Sequence, residues 1–395
     1  MPADDGVVLD LHGLLSIAVR GGGRRELAAI RRQLGPLPET RDGTSDGHGS
    51  PPPGEPALVI RFVDTLATGT LRQVGLDAAF DDDGFYVLRG RRKTSVRVRL
   101  PVDRLGTSPI EIIAERGLGA VPFLLPILHA TLLGQGVLPV HASAFVHDGT
   151  GVLVTGWAKG GKSEALLAFA DRGATYVGDE WVFVTADGAS MGGLPEPMRL
   201  WDWQLAMVPG IRDKVGLAGR VRLGGAAGLA AALGGASRLP LVRSSAPGDA
   251  ARRMAAVVER QRSLQIPPAR LFGSRVAVGL VPLDCVVLIE SQGDPRSSVE
   301  PADPATVARR VAATVRHELL DLEALDLRHR YAFPDRPGGF VGELATRLED
   351  GLIAALAHRP CLVVRHPYPP DIPALHDLIA PAVAAAVAPA GRTLP

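Results

Sequence analysis

The 395-residue chain has only two cysteines, Cys285 and Cys361, and both lie in apolar runs. That excludes a disulfide framework and any zinc site built on clustered thiolates. Free buried thiols fit a reducing compartment, and the acidic start Met-Pro-Ala-Asp-Asp lacks the basic opening of a secretory signal, so a cytoplasmic protein is expected. An excess of one charge is also missing: 43 basic residues face 42 acidic ones, a formal net charge of +1. This argues against a long-range electrostatic hold on nucleic acid or on an anionic membrane. Lysine is scarce beside arginine, alanine, glycine and proline, a bias that reads as high genomic GC content and carries no functional meaning.

Unbroken apolar runs of membrane-spanning length are lacking too. Residues 117–146 bear no formal charge, but Pro122, Pro126, Gly134, Gly136 and Pro139 interrupt them. The segment predicts a buried helix over Val121–Leu133 and a buried strand over Leu138–Val146. The Gly/Ala run at 224–236 is too short to span and is flanked by Arg222 and Arg238. What the chain does have is ample core material, 46% hydrophobic against 22% charged residues, which excludes disorder throughout. Its length fits two domains, or one large core with a smaller partner.

Residues 7–34 read as a short strand followed by a basic helix. The Pro/Gly/Ser/Asp-rich stretch 36–56 cannot bury a face and reads as a flexible loop. Alternation in Phe85–Arg89 and Ser95–Leu100, joined by a basic turn, gives a strand-rich N-terminal region over 1–115. Beyond it, in 116–395, strands and helices alternate, which predicts an α/β sheet. Leu138–Val146 and Val152–Thr155 form a hairpin across the turn at 147–151. Ser163–Ala170 is helical, Ala174–Val177 is a short strand beside the second hairpin strand, and Val276–Glu290 reads as a strand pair. Ala305–Leu327, Val341–Leu356 and Ile372–Val387 read as helices, with Cys361–Val364 a late strand. Residues 191–274 read either as an irregular helical region with loops or as a lid or acceptor-binding insertion.

The chemistry is concentrated in Gly156-Trp157-Ala158-Lys159-Gly160-Gly161-Lys162-Ser163, which fits G-x-x-x-x-G-K-[ST] between a buried strand and a helix. Polyphosphate must be wrapped by backbone N–H groups, and the glycines clear side chains from that approach. Lys162 offers a cation to the β- and γ-phosphates, Ser163 a hydroxyl to Mg²⁺, and the following helix its positive dipole end. Lys159 adds a second cation or points to solvent. Asp179-Glu180 ends the next strand, where one carboxylate can reach Mg²⁺ and the other accept a proton from an attacking hydroxyl. His141, alone in an apolar strand, reads by itself as a core residue. Arg199 and Arg365-His366 read as ordinary strand ends, with substrate contact the lesser alternative.

Taken together, Val140-His-Ala-Ser-Ala144, Gly156–Ser163 and Val177-Gly-Asp-Glu180 resemble the HPr kinase/phosphorylase family and its shorter relatives. The spacing agrees, with Gly156 fifteen residues after His141 and Asp179 twenty-three after Gly156. The likeness covers about residues 137–185, with a weaker echo at 276–290. It implies a mixed-sheet P-loop kinase core like that of the nucleotide-dependent phosphoenolpyruvate carboxykinases. It also implies ATP- and Mg²⁺-dependent transfer of the γ-phosphate to a serine or other hydroxyl of a protein, peptide or small molecule. By the same resemblance Asp179 is the catalytic base, assisted by Lys162; Ser163 and Glu180 serve the metal; and His141 tunes the acidic pair. Glu180 stands where the family commonly has Asp, and the C-terminal signature tied to the phosphorylase reaction is not found. A nucleotide-binding scaffold without chemistry and a simple nucleotide hydrolase stay open beside the kinase. So does the oligomeric state, a homo-oligomer included.

Overall fold

The computed structural model describes residues 6–41, 55–89, 96–217, 219–225, 254, 262–336 and 339–388. The N-terminal alternation produces nine strands: β1 (Val7–Leu11), β2 (Leu15–Arg20), β3 (Glu39–Arg41), β4 (Leu58–Val63), β5 (Arg72–Val74), β6 (Ala78–Phe80), β7 (Phe85–Arg89), β8 (Val96–Leu100) and β9 (Ile110–Glu115). They form one mixed sheet in the order β3-β1-β2-β4-β9-β8-β7-β6-β5. Only β2–β4 and β4–β9 run parallel, with Ile60 opposite Ile112. The helix Arg24–Leu34 crosses between β2 and β4 and buries Glu26, Ala29, Ile30 and Leu34, the three-to-four spacing of one helical face. Residues 7–20 are thus a hairpin, where the sequence suggested a single strand. Its turn at His12-Gly13 takes positive φ at both residues, and Asp10 Oδ1 accepts from the Gly13 N–H at 2.9 Å, a short signal inside an otherwise apolar run. The expected loop at 36–56 begins with a strand at the sheet edge, β3; residues 42–54 lie outside the described residues.

The second sheet holds the loop. It comprises β10 (Leu138–His147), β11 (Thr150–Thr155), β12 (Thr175–Gly178), β13 (Trp181–Val184), β14 (Ser190–Gly193), β17 (Val281–Pro282), β18 (Cys285–Gln292), β19 (Ser298–Pro301) and β20 (Cys361–Pro367). The order is β17-β14-β13-β10-β11-β18-β20-β19. β10 and β11 are the expected antiparallel hairpin, and β18 and β20 then add in parallel to β11. β11 is buried on both faces, which explains its unbroken apolar character. Val152, Val154, Val287, Ile289 and Val364 face a core with the helices Lys162–Ala170 and Ile372–Val387. Leu153, Val286, Leu288 and Val363 point the other way, into a core with the helices Leu124–Gly134, Pro304–Glu318 and Val341–Leu356. That second core continues to Leu9, Ile17, Ile60 and Ile112 of the N-terminal sheet.

Three expectations are corrected. β12 is not beside β11: it pairs with the far edge of β10, the same edge that β13 uses closer to the start of β10. Residues 276–290 are not a strand pair, because β17 joins β14 while β18 joins β11 and β20. The helix expected over 305–327 is two helices, Pro304–Glu318 and Leu320–Ala332, broken at Leu319. Apolar spacing reports the buried face and is blind to such a break. Among its described residues the region 191–274 holds β14, a two-stranded sheet of β15 (Met198–Trp201) and β16 (Ser263–Ile266), the short helices Asp202–Met207, Pro209–Arg212 and Pro268–Phe272, and helical residues at 219–225. Its residues 226–253 and 255–261 lie outside the described residues. Among the described residues no helix is long and apolar enough to cross a membrane, and the charge-free segment 117–146 resolves into a helix and β10.

Candidate active site

Three parallel strands end around the loop. Gly156 follows β11 with φ +152°, and a Cβ there would sit 2.3 Å from the Ile289 carbonyl at the end of β18. Gly161 caps the helix Lys162–Ala170 with φ +110°, and a Cβ there would lie 2.4 Å from His366 Nε2 on β20. His366 is buried, and its Nε2 donates to the Gly160 carbonyl at 2.8 Å. The loop is thus seated on β18 and β20, with the helix N-terminus turned to the cleft outside the carboxyl ends of the strands. Ser143 completes the frame: its hydroxyl donates to the Lys162 carbonyl at 2.7 Å.

Lys162 is buried and its Nζ donates to the carbonyls of Gly156 (3.0 Å) and Trp157 (3.1 Å). Burial lowers its pKa, while Glu180, Asp179, Glu318 and Glu164 pull the other way. The Ser163 hydroxyl lies 3.0 and 3.1 Å from the two carboxylate oxygens of Asp179 and donates to that group. Asp179 is buried, and desolvation together with the charge of Glu180 pushes its pKa up to about 7, against the Ser163 hydrogen bond and Lys162. A tight turn between β12 and β13 presents both acids. Glu180 takes φ +74°, and its carbonyl accepts from the Ala142 N–H of β10.

Register then sets the partner of Glu180. His141 lies opposite Trp181, so its Nε2 reaches Glu180 Oε2 at 2.9 Å and donates to it. That hydrogen bond holds the Glu180 pKa below the usual carboxylate range, against desolvation. The ring of His141 stacks on Trp181, and its Nδ1 is 3.5 Å from Glu318 Oε1 at the end of the helix Pro304–Glu318. The two neighbouring acids are therefore driven apart: Glu180 is held ionised, while Asp179 is poised near neutrality.

A cleft of about 210 Å³ is lined by His141, Ala158, Lys159, Gly161, Lys162, Ser163, Asp179 and Glu180, so most of the residues expected from the sequence converge. Gly156 and Gly160 lie beneath the loop against Ile289 and serve its seating. Trp157 stands outside the cleft, 55% exposed, with its ring stacked on His317 at 5.0 Å between centroids. Lys159 faces the cleft with φ +63°. Arg199, read as an ordinary strand end, lines the cleft, and His366, read likewise, buttresses the loop.

Sequence reasoning missed Ser143, Glu164, Trp201, Gln204, Glu318 and Glu196. Glu196 sits near both acids; desolvation, then Glu180 and Asp179, push its pKa up to about 8, and its Oε1 finds no hydrogen-bond partner among the described residues. Ser143 had a signal, since it shares the strand face of His141 two residues on. Glu164 directly follows Ser163 and stood next to the motif; the others lie on separate segments and had no signal. Among the described residues no group of three or more His, Cys, Asp or Glu side chains is arranged to hold a metal ion. A scan against protein-family models finds no match for this chain. A search of the curated proteins finds no similar one.

Proposed function

We propose that the chain is an ATP- and Mg²⁺-dependent phosphotransferase with an HPr kinase-like P-loop core, passing the γ-phosphate to a hydroxyl of a protein, peptide or small molecule. The observation that carries this reading is the placement of Ser163 on Asp179 beside the buried Lys162, at the glycine-capped N-terminus of a helix. Backbone N–H groups of the loop receive the phosphates. Lys162 needs only to leave two carbonyls to reach them. Asp179, with a pKa about 7, is suited to take the acceptor's proton near neutral pH. His141 keeps Glu180 ionised.

The donors present fit Mg²⁺ that arrives with the nucleotide. This ion is usually held by one or two carboxylates together with substrate phosphates, and a cage made wholly of protein is not needed. Glu180 and the Ser163 hydroxyl oxygen would hold it, the Ser163 O–H still donating to Asp179. When bound it neutralises charge on the transferring phosphoryl group.

The test is phosphate transfer from γ-labelled ATP, with Mg²⁺, into a lysate of the host organism. A labelled acceptor that disappears with Lys162→Ala supports the kinase. Phosphate release without an acceptor moves the assignment to a hydrolase. Nucleotide binding without either moves it to a non-catalytic module.

A further inference from the structure

The cleft opens into a second chamber. Lys159, Glu164 and Trp201 line both, and beyond them a space of about 370 Å³ is bounded by Trp203, Tyr368 and the Asp202–Arg262 ion pair. Its size falls within the ~300–1,000 Å³ of small-molecule sites. Its walls are built: the Trp201 N–H donates to Gln204 Oε1 at 2.7 Å, and Gln204 Nε2 donates to Glu164 Oε1 at 2.8 Å. Tyr368 follows β20 and is 59% exposed, so an aromatic face stands at the mouth.

The two ends of the combined groove differ in kind. The first carries Asp179, Glu180 and His141 together with Lys162 and Ser163; the second carries three aromatic rings; Lys159, Glu164 and Trp201 border both. In-line phosphoryl transfer requires the acceptor and the leaving nucleoside diphosphate on opposite sides of the γ-phosphorus. The acceptor must meet its base at the carboxylate end. The nucleoside is left with the aromatic end, where stacking suits a flat base and is tolerant of which base it is.

We propose that the chamber of Trp201, Trp203 and Tyr368 is the nucleobase subsite, with the base stacked on the Trp203 and Tyr368 rings and the ribose passing Glu164. This rests on the phosphate-loop reading above. No bond is made or broken in the chamber; it adds affinity for the nucleoside part of the donor alone.

The experiment compares calorimetric binding of ATP and of inorganic tripolyphosphate, both with Mg²⁺, to wild type, Trp203→Ala, Trp203→Phe and Lys162→Ala. Stacking of ~1–3 kcal/mol per base predicts that Trp203→Ala weakens ATP about 5- to 150-fold. Tripolyphosphate affinity should stay unchanged, which also certifies the fold, and Trp203→Phe should recover most of the loss. Lys162→Ala should weaken both ligands. Wild-type ATP affinity in Trp203→Ala overturns the subsite and leaves the loop standing, and loss of transfer at that intact affinity assigns the chamber to the acceptor. Equal loss of both ligands in Trp203→Ala also overturns it. A wild-type protein that binds neither ligand removes the loop reading and the subsite together.

Discussion

Buried carboxylates in the two sheets are treated in opposite ways. In the N-terminal sheet, Asp81 accepts from the N–H groups of Gly69, Asp83 and Gly84 at 2.8–3.0 Å and from the Tyr86 hydroxyl. Glu115 accepts from the Leu66 and Arg97 N–H groups and from the Arg97 guanidinium. Burial pushes both acids upward, but these hydrogen bonds together outweigh it and bring both below their ordinary values. Around the loop, Asp179 has one hydroxyl donor and an ionised neighbour and rises to about 7, and Glu196 rises to about 8. The fold can satisfy a buried acid and does so where the role is structural. Among the described residues, Asp179 in the cleft and the half-buried Glu196 near it are left short of donors, and a perturbed acid in a cleft marks a place where a ligand supplies what is missing.

The sharpest way to break this contrast is to neutralise one acid of each kind. Asp179→Asn should lower phosphate transfer by about 10²–10⁴-fold while ATP affinity, read by calorimetry, stays near wild type. Transfer by the wild type should climb as pH rises through about 7, where Asp179 loses its proton, and unchanged transfer in Asp179→Asn removes it from the mechanism. Gly161→Ala tests the seat of the loop. Its φ of +110° and the crowding against His366 should weaken nucleotide binding by about 10–100-fold, the equivalent of ~1–3 kcal/mol of strain.

On the structural side, Asp81→Ala should cost about 1–3 kcal/mol in a urea melt at pH 7 and leave ATP affinity alone. The folded pKa of Asp81 is lowered, so its contribution is present above the unfolded value of 3.8 and is lost as pH falls through the folded one. The deficit of the variant should therefore shrink in acid. The last effect has the opposite sign. The folded pKa of Glu196 is raised, so the stability linked to it is full below 4.5 and is lost as pH rises through about 8. Glu196→Gln should thus gain on the wild type by up to about 5 kcal/mol at pH 9 relative to pH 4 in paired thermal melts. A variant that loses stability equally at both pH values would mean that Glu196 is satisfied after all.

The loop and the acidic pair were legible because each is contiguous in the chain. Glycines, a lysine and a serine at fixed spacing after an apolar strand constrain their own geometry. The hairpin β10–β11 was legible for the same reason, through its short turn. Neighbour relations were not. Ala174–Val177 reads as a strand, yet nothing in its residues says that β10 stands between it and β11. His366 has the composition of a strand end, and its role under Gly160 depends on β20 lying beside β18. The aromatic chamber draws on the loop, β15, the turn before β16 and the end of β20, so no window of sequence contains it.

The sequence by itself determined that this chain carries a glycine-rich loop of the pattern G-x-x-x-x-G-K-[ST] with two acids downstream, because covalent spacing and glycine dihedrals are local properties. The tertiary structure decided what those groups are. Register placed His141 on Glu180 and made it the ionised member. Burial without donors made Asp179 the member that titrates near neutrality. Desolvation and charge–charge interaction act through space between strands and helices far apart in the chain, and only the folded arrangement sets those distances.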